Sequence, residues 1–361
     1  MKKNGTLVFG LLIAIAMGAC ATREKNDNEP LILKEQGSFM IGGTVIQDSG
    51  VFNTNTPISP QGQTLHGDHA YVFYQIPNAP RHKYPLVFLH GAGESAKSWE
   101  TTPDGRPGFN ELFLRKGFPV YLVDQPRRGK AGKTTQGSTI QAIPDEQFWF
   151  ETFRLGIWPH YFSNSQFPKG EAALNQFFRQ MTPNTGPYDE KVIAEAMSAL
   201  FNKIGEGILV THSQGGGPGW RTRILNNKVK AIVSYEPGSG FPFPYGKVPS
   251  PIPSISPFGA LTPDSIPMNE FMELTKIPII IYYGDHIPLQ PSKIWSEDHW
   301  RIRLEMARMW ASEVNEQGGN VTVIHLPEIG IKGNTHFIFS DLNNSEIADI
   351  LNNYLISNNL L

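Results

Sequence analysis

The stretch GILVTHSQGGGPGW, residues 207–220, decides how the chain folds. It runs from an apolar segment through a serine into a block of glycines, which is typical of a buried strand that turns sharply into a helix. In such a turn the serine side chain projects above the carboxyl edge of the sheet, and its neighbours must be small. Gly215 meets that requirement after Ser213, but Thr211 stands where the usual G-x-S-x-G spacing has its first glycine. Alone, the stretch fits a nucleophile elbow and a structural glycine turn equally well.

A second glycine turn, HGAG, ends the apolar run of residues 84–93. A serine nucleophile needs two hydrogen-bond donors aimed at the oxyanion that forms during acyl transfer. We expect the backbone N–H groups of Ala92 and Gln214 to supply them, with Gly91 and Gly93 shaping the upstream loop. Two such turns after two apolar runs favour a catalytic interpretation of the serine.

The rest of the chain alternates predicted strands with predicted helices, which indicates one α/β domain with a mostly parallel, doubly wound sheet over residues 37–361. An aromatic-rich insertion at about 134–187 interrupts this order and is predicted to cap the site, and residues 237–267 form a proline-rich loop. The predicted strands are 38–46, 69–77, 84–93, 118–126, 207–211, 229–235, 277–283 and 320–326, and the predicted helices are 108–117, 189–205, 214–226, 298–317 and 345–357.

A serine hydroxyl needs a histidine base, which a carboxylate holds in place. His336 lies in the loop between the last strand and the last helix and is the expected base, whereas His325 within a strand looks structural and His299 looks like a capping or surface residue. Two carboxylates are candidates for the acid. Glu236 follows the sixth strand, and Asp285 follows the seventh, where this acid most commonly stands.

Several motifs together resemble a subgroup of bacterial and fungal esterases of the α/β-hydrolase fold. The motifs are WETTPDGRPGF (99–109), VDQPRRG (123–129), THSQGG (211–216), YEPG (235–238) and GNTHFIFSDLNN (333–344). Members of this subgroup carry T-H-S at the serine and a glutamate acid after the sixth strand. The resemblance therefore implies an inserted cap, an acyl-enzyme mechanism and a triad of Ser213, Glu236 and His336, with Asp285 as the reserve acid.

Aromatic residues in 147–178 and 241–246 favour a mostly apolar, uncharged ester, a lactone included. A catalytically inactive binding protein of the same fold, or a thioester or amide hydrolase, is the alternative. The segment RRGKAGKTT (127–135) lacks the first glycine of a phosphate-binding loop, so no nucleotide cofactor is expected. The histidines lack metal-ligand spacing, and a net charge of −2 predicts no nucleic-acid partner. The sequence does not indicate the oligomeric state.

The N-terminus indicates export. Residues 1–20 combine a basic start, a short apolar stretch and MGAC, which resembles a lipoprotein signal with Cys20 as the lipid attachment site. A plain secretory signal is the alternative. Residues 21–36 are polar and predict a flexible tether, so we expect a lipid-anchored protein at the periplasmic or outer-membrane face of the cell envelope, or otherwise a secreted one. Cys20 is the single cysteine, which leaves the exported domain without a disulfide.

Overall fold

The computed structural model describes residues 29–361, of which Ile32–Leu361 form one compact unit. The predicted signal, Cys20 and residues 21–28 of the predicted tether lie outside the described residues. Within residues 29–361 we find no helix with the length and apolar character needed to cross a membrane.

The strands are β1 (Leu33–Gln47), β2 (Thr64–Pro77), β3 (Leu86–Leu89), β4 (Val120–Asp124), β5 (Gly156–Ile157), β6 (His160–Tyr161), β7 (Gly207–His212), β8 (Val229–Tyr235), β9 (Pro242–Pro244), β10 (Asp264–Ile266), β11 (Pro278–Tyr283) and β12 (Asn320–His325). The helices are α1 (Phe109–Lys116), α2 (Glu146–Thr152), α3 (Glu171–Arg179), α4 (Glu190–Ile204), α5 (Gly216–Leu225), α6 (Met268–Leu274), α7 (Trp295–Glu316) and α8 (Asn344–Ser357).

Eight strands form the main sheet in the order β1-β2-β4-β3-β7-β8-β11-β12. The pairings of β2 with β1 and β4 are antiparallel, and all others are parallel, so the predicted mostly parallel α/β sheet is confirmed. The central strands β3 and β7 are buried along their whole length, as expected for continuous apolar runs. Because parallel strands end at the same edge, the loops after β3, β7, β8, β11 and β12 meet there.

Several elements differ from the sequence prediction, among them the following three. Strand β1 begins at Leu33, inside the predicted tether of residues 21–36, because the pairing with β2 extends to Leu33 opposite Pro77. The proline-rich loop contains the short parallel pair β9 and β10. Helix α7 begins at Trp295 rather than at residue 298, which brings Asp298 and His299 inside the helix.

The aromatic-rich segment of residues 134–187 contains α2, the β5–β6 hairpin and α3. Its aromatic side chains pack on the loop that follows β12. Phe153 stacks on the ring of His336, with centroids 5.2 Å apart and an interplanar angle of 5°. Phe177 packs edge-on against Phe337 at 4.9 Å. The segment therefore packs against the loop that carries His336.

Candidate active site

Ser213 lies in a sharp turn between β7 and α5 with a φ angle of +52°, which is strained for a residue with a side chain. Two glycines permit the turn. A Cβ on Gly215 would lie 2.7 Å from the carbonyl oxygen of His90, and one on Gly91 would lie 2.6 Å from Ser213 Cβ. The geometry is that of the sharp strand-to-helix turn expected of a nucleophile elbow, which the stretch 207–220 taken alone left undecided.

Thr211 fits this elbow because its neighbours accommodate both branches of its side chain. Its hydroxyl Oγ1 donates a hydrogen bond to Ser234 Oγ on the adjacent strand β8 at 2.8 Å. Its methyl group faces Gly219 in α5, where an added Cβ would lie only 2.7 Å from Thr211 Cγ2. The small residue that the usual motif places in the strand is thus found in the facing helix.

His336 is fully buried in the loop after β12. Its Nδ1 lies 2.7 Å from Glu236 Oε2, so Nδ1 carries the hydrogen and Nε2 has the lone pair of a base. Nε2 makes no hydrogen bond to any of residues 29–361, Ser213 Oγ included. Burial and the nearby His212 lower the pKa of His336 to about 3, although Glu236 opposes them. The imidazole is therefore neutral and able to accept a proton at neutral pH.

Glu236 follows β8 with a φ angle of +50° and is also fully buried. Its Oε1 accepts hydrogen bonds from the backbone N–H of Gly284 at 2.6 Å and from Arg154 Nη2. Burial alone would raise the pKa of Glu236, but the charge of Arg154 and the hydrogen bond from His336 lower it to about 2. Glu236 is therefore a carboxylate with a donor on each oxygen.

Asp285, the other candidate acid, is directed elsewhere. Its carboxylate accepts hydrogen bonds from the backbone N–H groups of Gly333 and His286, each at 2.7 Å, and from Asn164 Nδ2 at 3.1 Å. Gly333 begins the loop that carries His336. The structure thus brings Glu236 to the imidazole and sets Asp285 at the base of the same loop.

The predicted oxyanion donors, Ala92 and Gln214, line one cavity together with Ser213. The loop after β3 is fixed from below by Arg128, whose Nη1 donates to the carbonyl oxygens of Gly91 at 3.2 Å and Glu94 at 3.0 Å. Ala92 therefore lies on a loop that a buried cation holds in place, and Gln214 directly follows Ser213 in the turn after β7.

Sequence reasoning missed a second histidine–carboxylate pair beneath the site. His212 Nδ1 lies 2.7 Å from Glu94 Oε1, and His212 Nε2 lies 3.0 Å from the carbonyl oxygen of His336. Because a carbonyl only accepts, His212 Nε2 donates, and the pair ties the HGAG loop to the loop of His336. His212 lies within the motif THSQGG and Glu94 directly follows HGAG, which was the available signal.

Arg154 is the other residue that the sequence did not reveal. Its side chain is fully buried, with Nη2 on Glu236 and Nε donating to the carbonyl oxygen of Asp285 at 2.8 Å. It lies just after α2, in a segment without helical or strand periodicity, so no sequence pattern pointed to it.

The cavity beside Ser213 has a volume of about 390 Å³ and an aromatic wall. His299 is part of its lining and is only 4% exposed, so the expectation of a capping or surface residue was wrong. Because α7 begins early, the His299 ring turns inward, where Nδ1 lies 2.8 Å from Ser256 Oγ. The lining residues are Ala92, Trp149, Thr152, Phe153, Ser213, Gln214, Gly238, Ser239, Phe258, His299, Trp300 and Arg303.

Comparisons with known proteins agree with this geometry. The sequence profile of the alpha/beta hydrolase family matches residues 86–340. A "Probable secreted lipase phiG" from Fungal sp. (strain ATCC 74256) is 30% identical in a 311-residue alignment that covers 78% of this chain and 84% of that protein. The solved structure of a novel bacterial esterase is 29% identical, with a TM-score of 0.72 over 92% of this chain and 99% of the esterase. The chain therefore belongs to the alpha/beta hydrolase family and is a carboxylic ester hydrolase.

Proposed function

We propose that this hydrolase cleaves esters through an acyl-enzyme intermediate on Ser213, with His336 as the base and Glu236 as the acid that orients it. The observation that carries the proposal is the buried hydrogen bond of 2.7 Å between Glu236 Oε2 and His336 Nδ1. Nε2 has no hydrogen-bond partner among residues 29–361, and the His336 ring packs against Phe153 and Trp300, which line the cavity that contains the strained serine. Asp285, engaged by Gly333, is not needed as the acid.

The first half-reaction forms the acyl-enzyme. His336 Nε2 takes the hydroxyl proton of Ser213 as Oγ bonds to the carbonyl carbon of the ester. Backbone N–H groups of Ala92 and Gln214 stabilise the oxyanion, each contributing about 3–4 kcal/mol to the lowering of the barrier. The bond to the alcohol oxygen then breaks, and the imidazolium returns the proton to that oxygen. In a lactone, the released alcohol stays attached to the acyl group.

In the second half-reaction, water hydrolyses the acyl-enzyme and restores the free serine. His336 Nε2 takes a proton from the water as its oxygen attacks the acyl carbon, and the proton passes to Ser213 Oγ as the bond to the serine breaks. Glu236 stays ionised throughout and stabilises the transient imidazolium. No step needs a cofactor or a metal ion.

The aromatic lining of the cavity supports a substrate with a large apolar part. We further propose that residues 134–187 act as a cap over this cavity and that residues 37–361 hold all of the catalytic machinery. The cavity wall also contains the cation Arg303, which does not fit the predicted lack of charge on the substrate.

Labelling with a fluorophosphonate probe tests the nucleophile. We expect the wild type to react with the probe and to hydrolyse a 4-nitrophenyl ester, and Ser213→Ala to lose both. Ser239→Ala, which removes another serine of the same cavity, should still be labelled. Wild-type turnover by Ser213→Ala would refute the mechanism. Faster cleavage of a matched thioester or anilide than of the ester would move the activity to the alternative class.

For the N-terminus we propose export and a lipid on Cys20. The secreted character of the fungal relative supports export. In a bacterial host that processes lipoproteins, the wild type should incorporate an alkyne-tagged fatty acid and fractionate with membranes. Cys20→Ser should do neither. Unlabelled protein released from wild-type cells would instead indicate a plain secretory signal.

A further inference from the structure

Arg303 differs from the other buried arginines of residues 29–361. A buried cation is costly unless it is paired, and the others satisfy that rule with carboxylates or with several hydrogen bonds. The ion pairs are Arg127–Asp68, Arg154–Glu236, Arg223–Glu273 and Arg301–Asp298, and Arg128 donates to Gly91, Glu94 and Asn184. Arg303 has no carboxylate partner among the described residues.

The contacts of Arg303 leave most of its donors unused. Its Nη1 donates to the carbonyl oxygen of His299 at 2.6 Å, and its Cζ lies 5.5 Å from the ring centroid of Trp300. A guanidinium has five N–H donors in a planar fork, so at least one edge remains open. Burial lowers the pKa of Arg303 to about 10, which still leaves it cationic at neutral pH.

The open guanidinium belongs to the same cavity as the nucleophile. A Cβ placed on Gly238 would lie 3.7 Å from Ser213 Oγ and 3.9 Å from Arg303 Nε, so both atoms are within 4 Å of one point. In the described part of the chain, Arg303 is the one Asp, Glu, Lys or Arg residue in the cavity wall. Burial also holds the pKa of His299 well below its ordinary value, so its ring adds no second charge there.

We propose that Arg303 is a specificity-determining residue that binds a carboxylate carried by the substrate, a few bonds from the ester that Ser213 cleaves. The planar fork of a guanidinium matches the two oxygens of a carboxylate, and the bonds are charge-assisted. The substrate class is then a half-ester of a dicarboxylic acid, or an ester of a hydroxy acid, with an apolar portion against the aromatic wall. This inference rests on the proposed function and replaces the prediction of an uncharged ester.

Two matched substrate pairs test it on the purified protein. On the acyl side, the mono-4-nitrophenyl ester of adipic acid is compared with its ω-carboxamide. On the alcohol side, the acetate ester of 4-hydroxybenzoate is compared with that of 4-hydroxybenzamide. Each kcat/KM is divided by the rate constant for alkaline hydrolysis. We expect the carboxylate to be preferred by about 10- to 100-fold in at least one pair, as for a hydrogen bond between charged groups.

Arg303→Met should abolish that preference, and Arg303→Lys should retain part of it. The matched control is Arg308→Met on the same helix α7, because Arg308 forms a partly exposed ion pair with Glu328 outside the cavity wall. This control should keep the wild-type ratio. Fluorophosphonate labelling verifies that each variant is folded, and adipate should inhibit the wild type competitively where adipamide does not.

The proposal is overturned if the wild type shows no carboxylate preference in either pair, or if the preference survives in Arg303→Met. If Arg303→Met does not fold, the wild-type ratios and the inhibition by adipate decide the question alone. Failure of the proposed function looks different: Ser213→Ala would then hydrolyse the neutral carboxamide ester as fast as the wild type.

Discussion

The ends of β8 and β11 each present a carboxylate at the same edge of the sheet, yet the two side chains serve different purposes. Glu236 after β8 is buried and bonded to His336 Nδ1. Asp285 after β11 is only partly buried and bonded to the backbone of Gly333. One carboxylate orients a ring, and the other fixes the chain that carries the ring.

The difference shows that the residues after β11 can support a glutamate that follows the neighbouring strand β8. Gly284, which directly follows β11, donates its backbone N–H to Glu236, so the end of this strand contributes a backbone donor rather than the acid. A Cβ on Gly284 would lie 2.9 Å from Glu236 Oε1 and 2.6 Å from the carbonyl oxygen of Asn334, so the glycine keeps the space open. The position just before Asp285 thus supports the glutamate directly.

The largest effect is expected for Glu236→Gln. The amide is the same size as the carboxylate, but its NH₂ group must face another donor, either His336 or the pair of Arg154 and Gly284. The imidazole then loses the carboxylate that fixes its tautomer and stabilises its protonated form. We expect kcat for a 4-nitrophenyl ester to fall by about 10³- to 10⁴-fold.

The control for this variant is Asp285→Asn measured in parallel. A loss confined to Asp285→Asn would reverse the assignment of the acid. Thermal unfolding of both proteins separates a catalytic loss from a folding defect.

Arg154→Met is expected to act mainly on stability. It leaves Glu236 buried with its Oε1 bonded only to the N–H of Gly284, and removing one partner of a buried ion pair typically costs about 3–5 kcal/mol. Urea unfolding measures that loss. The control Arg308→Met removes an exposed pair and should cost less than about 1 kcal/mol. Equal losses in the two variants would show that Arg154 does not support Glu236.

Asp285→Asn should have a smaller effect than either. One oxygen remains to accept a hydrogen bond, but the charge-assisted bonds from Gly333 and His286 weaken, so we expect a loss of about 1–2 kcal/mol in unfolding free energy. kcat/KM should fall by less than tenfold, since His336 keeps its own partner. A fall comparable to that of Glu236→Gln would erase the distinction between the two carboxylates.

The pH profile of kcat/KM offers the finest comparison. Burial and His212 lower the pKa of His336 from 6.5 to about 3, and protonation of His336 removes the base. Activity should therefore stay on its plateau as the pH falls through 6.5 and decline only at more acidic pH. Asp285→Asn should leave that acidic limb in place, because the leading influences on the pKa of His336 are its burial, His212 and Glu236. An acidic midpoint at or above pH 6.5 in the wild type would contradict this.

The main sheet and the elbow could be predicted from the sequence because both depend on local patterns. Apolar runs that end in glycine predict central strands, and β7 with the turn at Ser213 lies where the pattern indicates. The fit of Thr211 depends on Gly219, eight residues later in a helix. That contact has no local signature.

Arg154 and His299 show where sequence patterns stop being informative. Arg154 reaches Glu236 across 82 residues from an irregular segment, so only the folded chain reveals the pair. His299 follows Asp298, and the two together look like the start of a helix. In the structure Asp298 accepts from the backbone N–H of Ile255, because the proline-rich loop folds over α7 and buries both residues.

The position of Arg154 has a consequence for protein engineering. A segment that lies over an active site is a natural target for replacement when the substrate preference is to be changed without altering the catalytic residues. Here the segment after α2 contributes Arg154, the cation that forms a buried ion pair with Glu236. A grafted replacement would have to place an arginine at the same point, so the segment and the sheet cannot be exchanged independently of each other.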